Sequence, residues 1–158
     1  MIASVNQLAL HKVVNCAEPI PVKISDLKQT VFISDCVDAS FIIQGKCTSI
    51  TVTSSRDVNI IFDGVVSSVE LIRCRKISAQ ANGSLPVITI EKCEGANIYL
   101  FSEASRSAEI ITSLSLEVII TIPPKVGQDA IERAIPYQFV TVLKDDKLET
   151  KPVTHTAN

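Results

Sequence analysis

Residues 50–68, ITVTSSRDVNIIFDGVVSS, place an apolar side chain at nearly every second position in two short runs. Alternation of this kind puts one face of a strand in a core and the other in solvent. The pattern returns at a step of nineteen residues. Val31, Ile50, Val69 and Ile88 form one column, and Ile33, Val52, Leu71 and Ile90 form the next. The second run gives three more columns: Ala39, Val58, Ile77 and Ala96; Phe41, Ile60, Ala79 and Ile98; Ile43, Phe62, Ala81 and Leu100. Between the runs, Cys36, Ser55, Cys74 and Cys93 share a small, slightly polar column, and Gly45, Gly64 and Gly83 close the units.

A unit of this length is too short for a strand–helix–strand crossover. It matches one coil of a parallel β-helix, each coil stacking ~4.8 Å above the last. The glycines then turn a corner where positive φ or close backbone approach excludes a Cβ. Upstream, Val22 and Ile24 are assigned to the last two columns. Downstream, a one-residue insertion carries the register into Ala108, Ile110, Leu116, Val118 and Ile120, and Ser102 stands in the glycine column. Pro123 and Pro124 cannot donate to a ladder and end the stack.

The sequence therefore predicts one all-β domain over residues 1–158. About six coils of a right-handed parallel β-helix cover residues 13–123. A linker over 124–136 is read as a loop or short helical turn, and a β-hairpin over 137–154 turns at KDDK (144–147). A lone hairpin is marginal in water, and the open end of a stack invites pairing. Exchange of hairpins in a symmetric homodimer meets both needs. Its contacts would come from Phe139, Val140, Thr141, Val142, Leu143, Leu148 and Val153.

Composition narrows the class. Formal charge is -2, so no global basic field exists to hold nucleic acid or an anionic membrane. Aromatics are 4% of the chain and Trp is absent, which makes the core aliphatic. No apolar run reaches the ~18 residues that span a bilayer. The start, MIASVNQLALHKVVN, lacks a basic leader, and an odd count of 5 cysteines fits reduced thiols in a cytoplasmic protein.

Several clusters invite a chemical reading. The cysteine column suggests a redox or metal site, yet no histidine shares it and no CxxC occurs, which favours an interior ladder. His11 and His155 lie on opposite sides of the repeat, so a dyad would require the two tails to meet. Asp35, Asp38, Asp57 and Asp63 could be paired carboxylates of a carbohydrate-active groove, but turn positions favour Asp for backbone reasons. Arg73, Arg75 and Lys76 form a basic cluster with Arg56 directly beneath in the previous coil. The alternatives there are a solvated edge or a patch that meets an acidic protein surface. No phosphate-binding P-loop occurs, and no cofactor, metal or catalytic residue is assigned.

Five stretches, SDLKQTVFI, IIQGKCTSITV, IIFDGVVSSVELI, LPVITIEKCEG and PYQFVTVLKDDKLETKPVT, together resemble the C-terminal β-helical domain of cyclase-associated protein. The resemblance rests on the order and spacing of many short matches across residues 22–154. It implies a non-enzymatic module that binds monomeric ADP-actin, including cofilin-bound actin, and promotes exchange of ADP for ATP. It also implies the swapped hairpin dimer and a cytoplasmic, cytoskeleton-associated location. With actin as partner, the candidate contacts are Arg56, Arg73, Arg75, Lys76, Lys92, Lys144, Lys147 and Lys151.

Full-length members usually add an N-terminal helical domain and Pro-rich segments, so the chain is read as an excised domain or a short member. Two departures stand out. RCRK (73–76) replaces the family's usual Asn-Ser-Arg-Asp, and the chain ends THTAN where the family is small and apolar. A rival class is the β-helix of tubulin cofactor C and the retinitis pigmentosa protein RP-two, which activates GTPases through an arginine finger. The candidate arginines, Arg56, Arg73, Arg75 and Arg106, fall outside that group's Gln-x-Arg-x-His element.

Overall fold

The computed structural model describes residues 6–154. The elements are strands apart from one short 3₁₀ turn at Glu103–Ser105. One parallel sheet contains β1 (Gln7–His11), β3 (Thr30–Ser34), β5 (Cys47–Thr53), β7 (Val65–Ile72), β9 (Val87–Glu91) and β11 (Glu109–Ser113), in that spatial order. The facing sheet contains β2 (Ile20–Lys23), β4 (Val37–Gln44), β6 (Arg56–Phe62), β8 (Arg75–Ala81), β10 (Glu94–Leu100) and β12 (Leu116–Ile122), likewise parallel. The chain alternates between the sheets, so each odd–even pair of strands makes one coil. Six coils stack into a parallel β-helix, as the periodicity predicts.

The columns pair in register where the sequence sets them. Val31 lies beside Ile50, which lies beside Val69 and then Ile88. Phe41, Ile60, Ala79 and Ile98 do the same on the other sheet. Their side chains fill the space between the sheets, and Phe41, Phe62, Ile50, Ile60, Leu71 and Ile98 are fully buried. β-Branched residues dominate because they pack well on a pleated, half-buried surface. Burial of such a side chain stabilises by about 1.5–3 kcal/mol.

The two corners of each coil differ in chemistry. At one, the residue before the small side chain and the residue two after it are left-handed. Asp35 and Asp38 both have φ of 53°, Arg73 and Lys76 both 52°, and Leu114 and Glu117 50° and 55°. The small residue between them closes the turn by hydrogen bonding. Cys74 donates to the Ile72 carbonyl at 3.4 Å and to Val52 of the coil below at 3.5 Å. Cys93 repeats this with Glu91 and Leu71, and Ser55 donates to Thr53 at 3.0 Å. Only a small donor fits this buried corner, where the carbonyls already accept backbone amides and offer a second lone pair, which explains why cysteine and serine interchange there.

The opposite corner uses glycine. Gly45 has φ of +101°, and a Cβ on Gly83 would lie 1.6 Å from the Asp63 carbonyl oxygen. One needs the left-handed backbone and the other needs the space. Gly64 has no positive φ, and its missing Cβ leaves room for Ser84 at 3.0 Å.

Four sequence expectations shift. The downstream insertion is longer than one residue: Ile110 pairs with Ile88 and Val118 with Ala96, a step of 22 in both sheets. Leu116 therefore sits opposite Glu94 and is exposed. The extra residues form the 3₁₀ turn, capped by Ser102, whose hydroxyl donates to Gly83 O at 2.6 Å. Upstream, Val22 pairs with Ile43, so Val22 and not Ile24 fills the last column. The stack also begins earlier than residue 13, because Leu8 and Leu10 of β1 lie on Val31 and Ile33. Finally, the stretch read as a loop or helical turn contains β13 (Ile131–Ala134), antiparallel to β12.

β13 covers the end of its sheet through Ile122–Ile131 and Ile119–Ala134 pairing. The other sheet ends on β11, whose outer edge pairs with no strand among the described residues. Beyond lies the hairpin, β14 (Phe139–Lys144) and β15 (Lys147–Pro152), which forms its own two-stranded sheet. Asp145 and Asp146 have φ of 50° and 62°, a two-residue turn whose twist suits a hairpin.

Candidate functional site

The basic residues predicted as contacts divide into two groups. Arg56, Arg73, Arg75, Lys76 and Lys92 all stand at the cysteine corner and are exposed. Arg56 and Arg75 are register partners on successive coils, as the nineteen-residue step requires. Arg75 approaches Glu94 at 3.8 Å, an exposed and therefore weak pair. Lys144, Lys147 and Lys151 lie on the hairpin, where Lys144 faces Lys147 and Val140 faces Lys151. The fold gathers the first five on one edge and holds the last three on a separate sheet.

All hairpin residues from Phe139 to Pro152 are exposed within this chain. Register places Phe139, Thr141, Leu143, Leu148, Thr150 and Pro152 on one face, with Thr141 and Thr150 hydrogen bonded at 2.9 Å. Leu143 and Leu148 face each other at 71% and 73% exposure, an apolar pair with nothing over it. Val140 and Val142 sit on the opposite face with Lys144, Glu149 and Lys151. Val153 is half-buried at the base, where its amide donates to Gln138 O. Near that base, Leu114, Leu116, Tyr137 and Phe139 line a depression of about 540 Å³ at the open end of the stack.

The remaining clusters resolve into structural roles. Asp35, Asp38 and Asp57 occupy left-handed corner positions, and Asp63 accepts from the Gly45 amide at 2.7 Å. His11 contacts Ser34 Oγ at 2.8 Å and Asp35 at 3.5 Å, whereas His155 lies outside the described residues. The four cysteines at 36, 47, 74 and 93 are buried and unbridged. Burial pushes the Cys47 thiol up to about 11. The Cys74 thiol is also pushed upward, by its contact with Cys93 and by burial.

One surface was not singled out by the sequence. On the outer face of the second sheet, Ser40, Asn59 and Ser78 form a polar ladder linked by hydrogen bonds. Beside them Ile42, Ile61, Gln80 and Tyr99 complete an uncharged groove of about 360 Å³. The outward positions repeat at the same nineteen-residue step as the inward ones. Tyr99 meets Phe101 edge to face, with ring centroids 5.5 Å apart.

A prism of stacked coils with a flat uncharged face, a basic corner and an exposed hairpin defines a protein of the parallel β-helix class. The family model described as "Adenylate cyclase associated (CAP) C terminal" matches residues 6–155, so the chain belongs to that family. It is 36% identical over 146 residues to an adenylyl cyclase-associated protein of Dictyostelium discoideum, covering 92% of this chain and 30% of that protein. It is 37% identical over 126 residues to adenylyl cyclase-associated protein 1 of Homo sapiens, covering 80% and 26%. The crystal structure of cyclase-associated protein from Cryptosporidium parvum superposes with a TM-score of 0.88 at 30% identity, covering 94% of this chain and 92% of that one. The chain thus spans less than a third of the curated relatives' length. No helix among the described residues is long and apolar enough to cross a membrane.

Proposed function

We propose that the chain is a non-enzymatic module that binds monomeric ADP-actin, including actin delivered by cofilin, and speeds exchange of ADP for ATP. Membership of the cyclase-associated protein family carries this reading. The physical mechanism is differential binding. A rigid prism that holds an open nucleotide cleft more tightly than a closed one shifts the partner toward release without any covalent step. The basic corner and the hairpin lysines are candidate contacts, and a cytoplasmic, cytoskeleton-associated location follows from the partner.

The same proposal includes a homodimer made by hairpin exchange. The exposed Leu143–Leu148 pair supports it, as do the unpaired edge of β11 and the apolar depression beside Leu114 and Leu116. Exposed strand edges and apolar pairs are unfavourable alone and complementary together.

Exchange of a fluorescent ATP analogue onto ADP-actin tests the function. Acceleration that saturates with added protein is expected, and an unchanged rate at saturation overturns the proposal. Hydrolysis by a small GTPase, measured beside it, is expected to stay unaltered; stimulation would favour the arginine-finger class instead.

A further inference from the structure

The cysteine corner stacks like charges on an exposed edge. Arg56 and Arg75 are stacked in register, ~4.8 Å apart along the ladder, and like charges so placed repel. Arg73, Lys76 and Lys92 share the left-handed φ, 52°, 52° and 54°, that this corner repeats from coil to coil. Neither Arg56 nor Arg73 has an ion pair or hydrogen bond from its guanidinium among the described residues. The arginines rim a shallow depression of about 280 Å³ floored by Val37, Ser54 and Ser55. Guanidinium groups beside such a depression can take carboxylates in a planar, two-pronged fashion.

We propose that this corner is a docking site for an acidic segment of a protein partner, with Arg56, Arg73 and Arg75 taking its carboxylates. The inference rests on the reading above only in treating the corner as a surface that faces protein. An extended peptide sets alternate side chains ~6.6–7 Å apart against the ~4.8 Å between neighbouring coils, a difference that long arginine side chains take up when two carboxylates dock at once. Asp38, Asp57 and Glu94 stand among the cations at the same corner. A continuous phosphate backbone or anionic bilayer meets that negative charge as well as the positive, whereas a short segment with two or three carboxylates can avoid it. The net charge of -2 likewise supplies no long-range pull toward polyanions.

The test uses the full chain, labelled with ¹⁵N, and a synthetic peptide of alternating Glu and Ser. Saturable amide shifts confined to residues 54–57 and 73–76 are expected, and the Gln–Ser counterpart should produce none. R56Q/R73N/R75Q, in which Asn suits the left-handed position, should retain the fold's spectrum and bind the Glu peptide at least fivefold more weakly. Raising salt from 50 to 500 mM should weaken the parent by about tenfold and the variant little. Absence of shifts at the corner, unchanged affinity in the variant, or tighter binding of phosphatidylserine vesicles or duplex DNA would overturn the proposal. Peptide binding without actin binding sinks the proposed function and leaves the docking site. Actin binding with no peptide response at the corner does the reverse.

Discussion

The middle coils and the terminal hairpin are built from the same alternating residues, yet they end in opposite conditions. In β6 the inward positions Val58, Ile60 and Phe62 are buried to 1% exposure or less. In β14 and β15 every position is exposed. The difference lies in the neighbours. Each central strand has a copy of itself on both sides, so its core face and both ladder edges are satisfied within the chain. The hairpin has only its own two strands. One region completes itself, and the other is complete only against something else.

The largest effect expected in the body comes from its tightest corner. Gly83→Val should unfold the prism, because the new Cβ meets a backbone carbonyl that cannot step aside. A loss above about 4 kcal/mol is expected, read as loss of a cooperative thermal transition. An unaffected transition would mean that the corner tolerates rearrangement and that the coils are less tightly stacked than described.

Phe62→Ala and Leu148→Ala set the two regions side by side. The first leaves a cavity between the sheets and should destabilise by about 3–5 kcal/mol in chemical denaturation. The second removes an apolar side chain of similar class from the hairpin and should leave unfolding of the isolated chain within about 0.5 kcal/mol. Equal losses would erase the contrast.

Alkaline pH acts on the body as well. Cys47 stays protonated in the fold up to about 11, against an ordinary thiol value of 9.0. Its contribution is thus fully present below pH 9 and is lost as pH rises through the folded value. Stability should fall across pH 9–11, with about 2–3 kcal/mol of that fall due to Cys47, and Cys47→Ala should make the slope shallower by that amount. Parallel slopes for parent and variant would remove the thiol as the cause.

Deletion of residues 139–158 should change stability of the coils least. A melting temperature within about 2 °C of the parent is expected, together with a halved mass in sedimentation and weaker actin binding. A dimer that survives the deletion would place self-association elsewhere.

The stack was legible because its repeat is regular. Between residues 31 and 100 the step is nineteen except where Cys47 meets Val65 at eighteen, and the inward columns read from the sequence land in register. Regularity fails at the ends. The step from Ile88 to Ile110 contains a turn whose extra residues leave no apolar signature, so spacing alone places Leu116 inward although it faces out. β1 carries no nineteen-residue signature, because Leu8 lies 23 residues before Val31. β13 was hidden because an exposed edge strand reading IERA has no alternation to betray it. Of the candidate surface, the Arg56–Arg75 stack followed from arithmetic, but the Ser40–Asn59–Ser78 ladder and the left-handed backbone at Arg73 and Lys76 did not.

The amino-acid order alone determined the coil, its period, its glycine and cysteine corners and its aliphatic filling. Side chains nineteen apart must share one environment if any of them is to be buried. The tertiary structure decided where the ladder stops, which edge stays open and which charges stand together unpaired. Those outcomes depend on irregular connections, whose course is set by what they can reach in space and not by a pattern they carry.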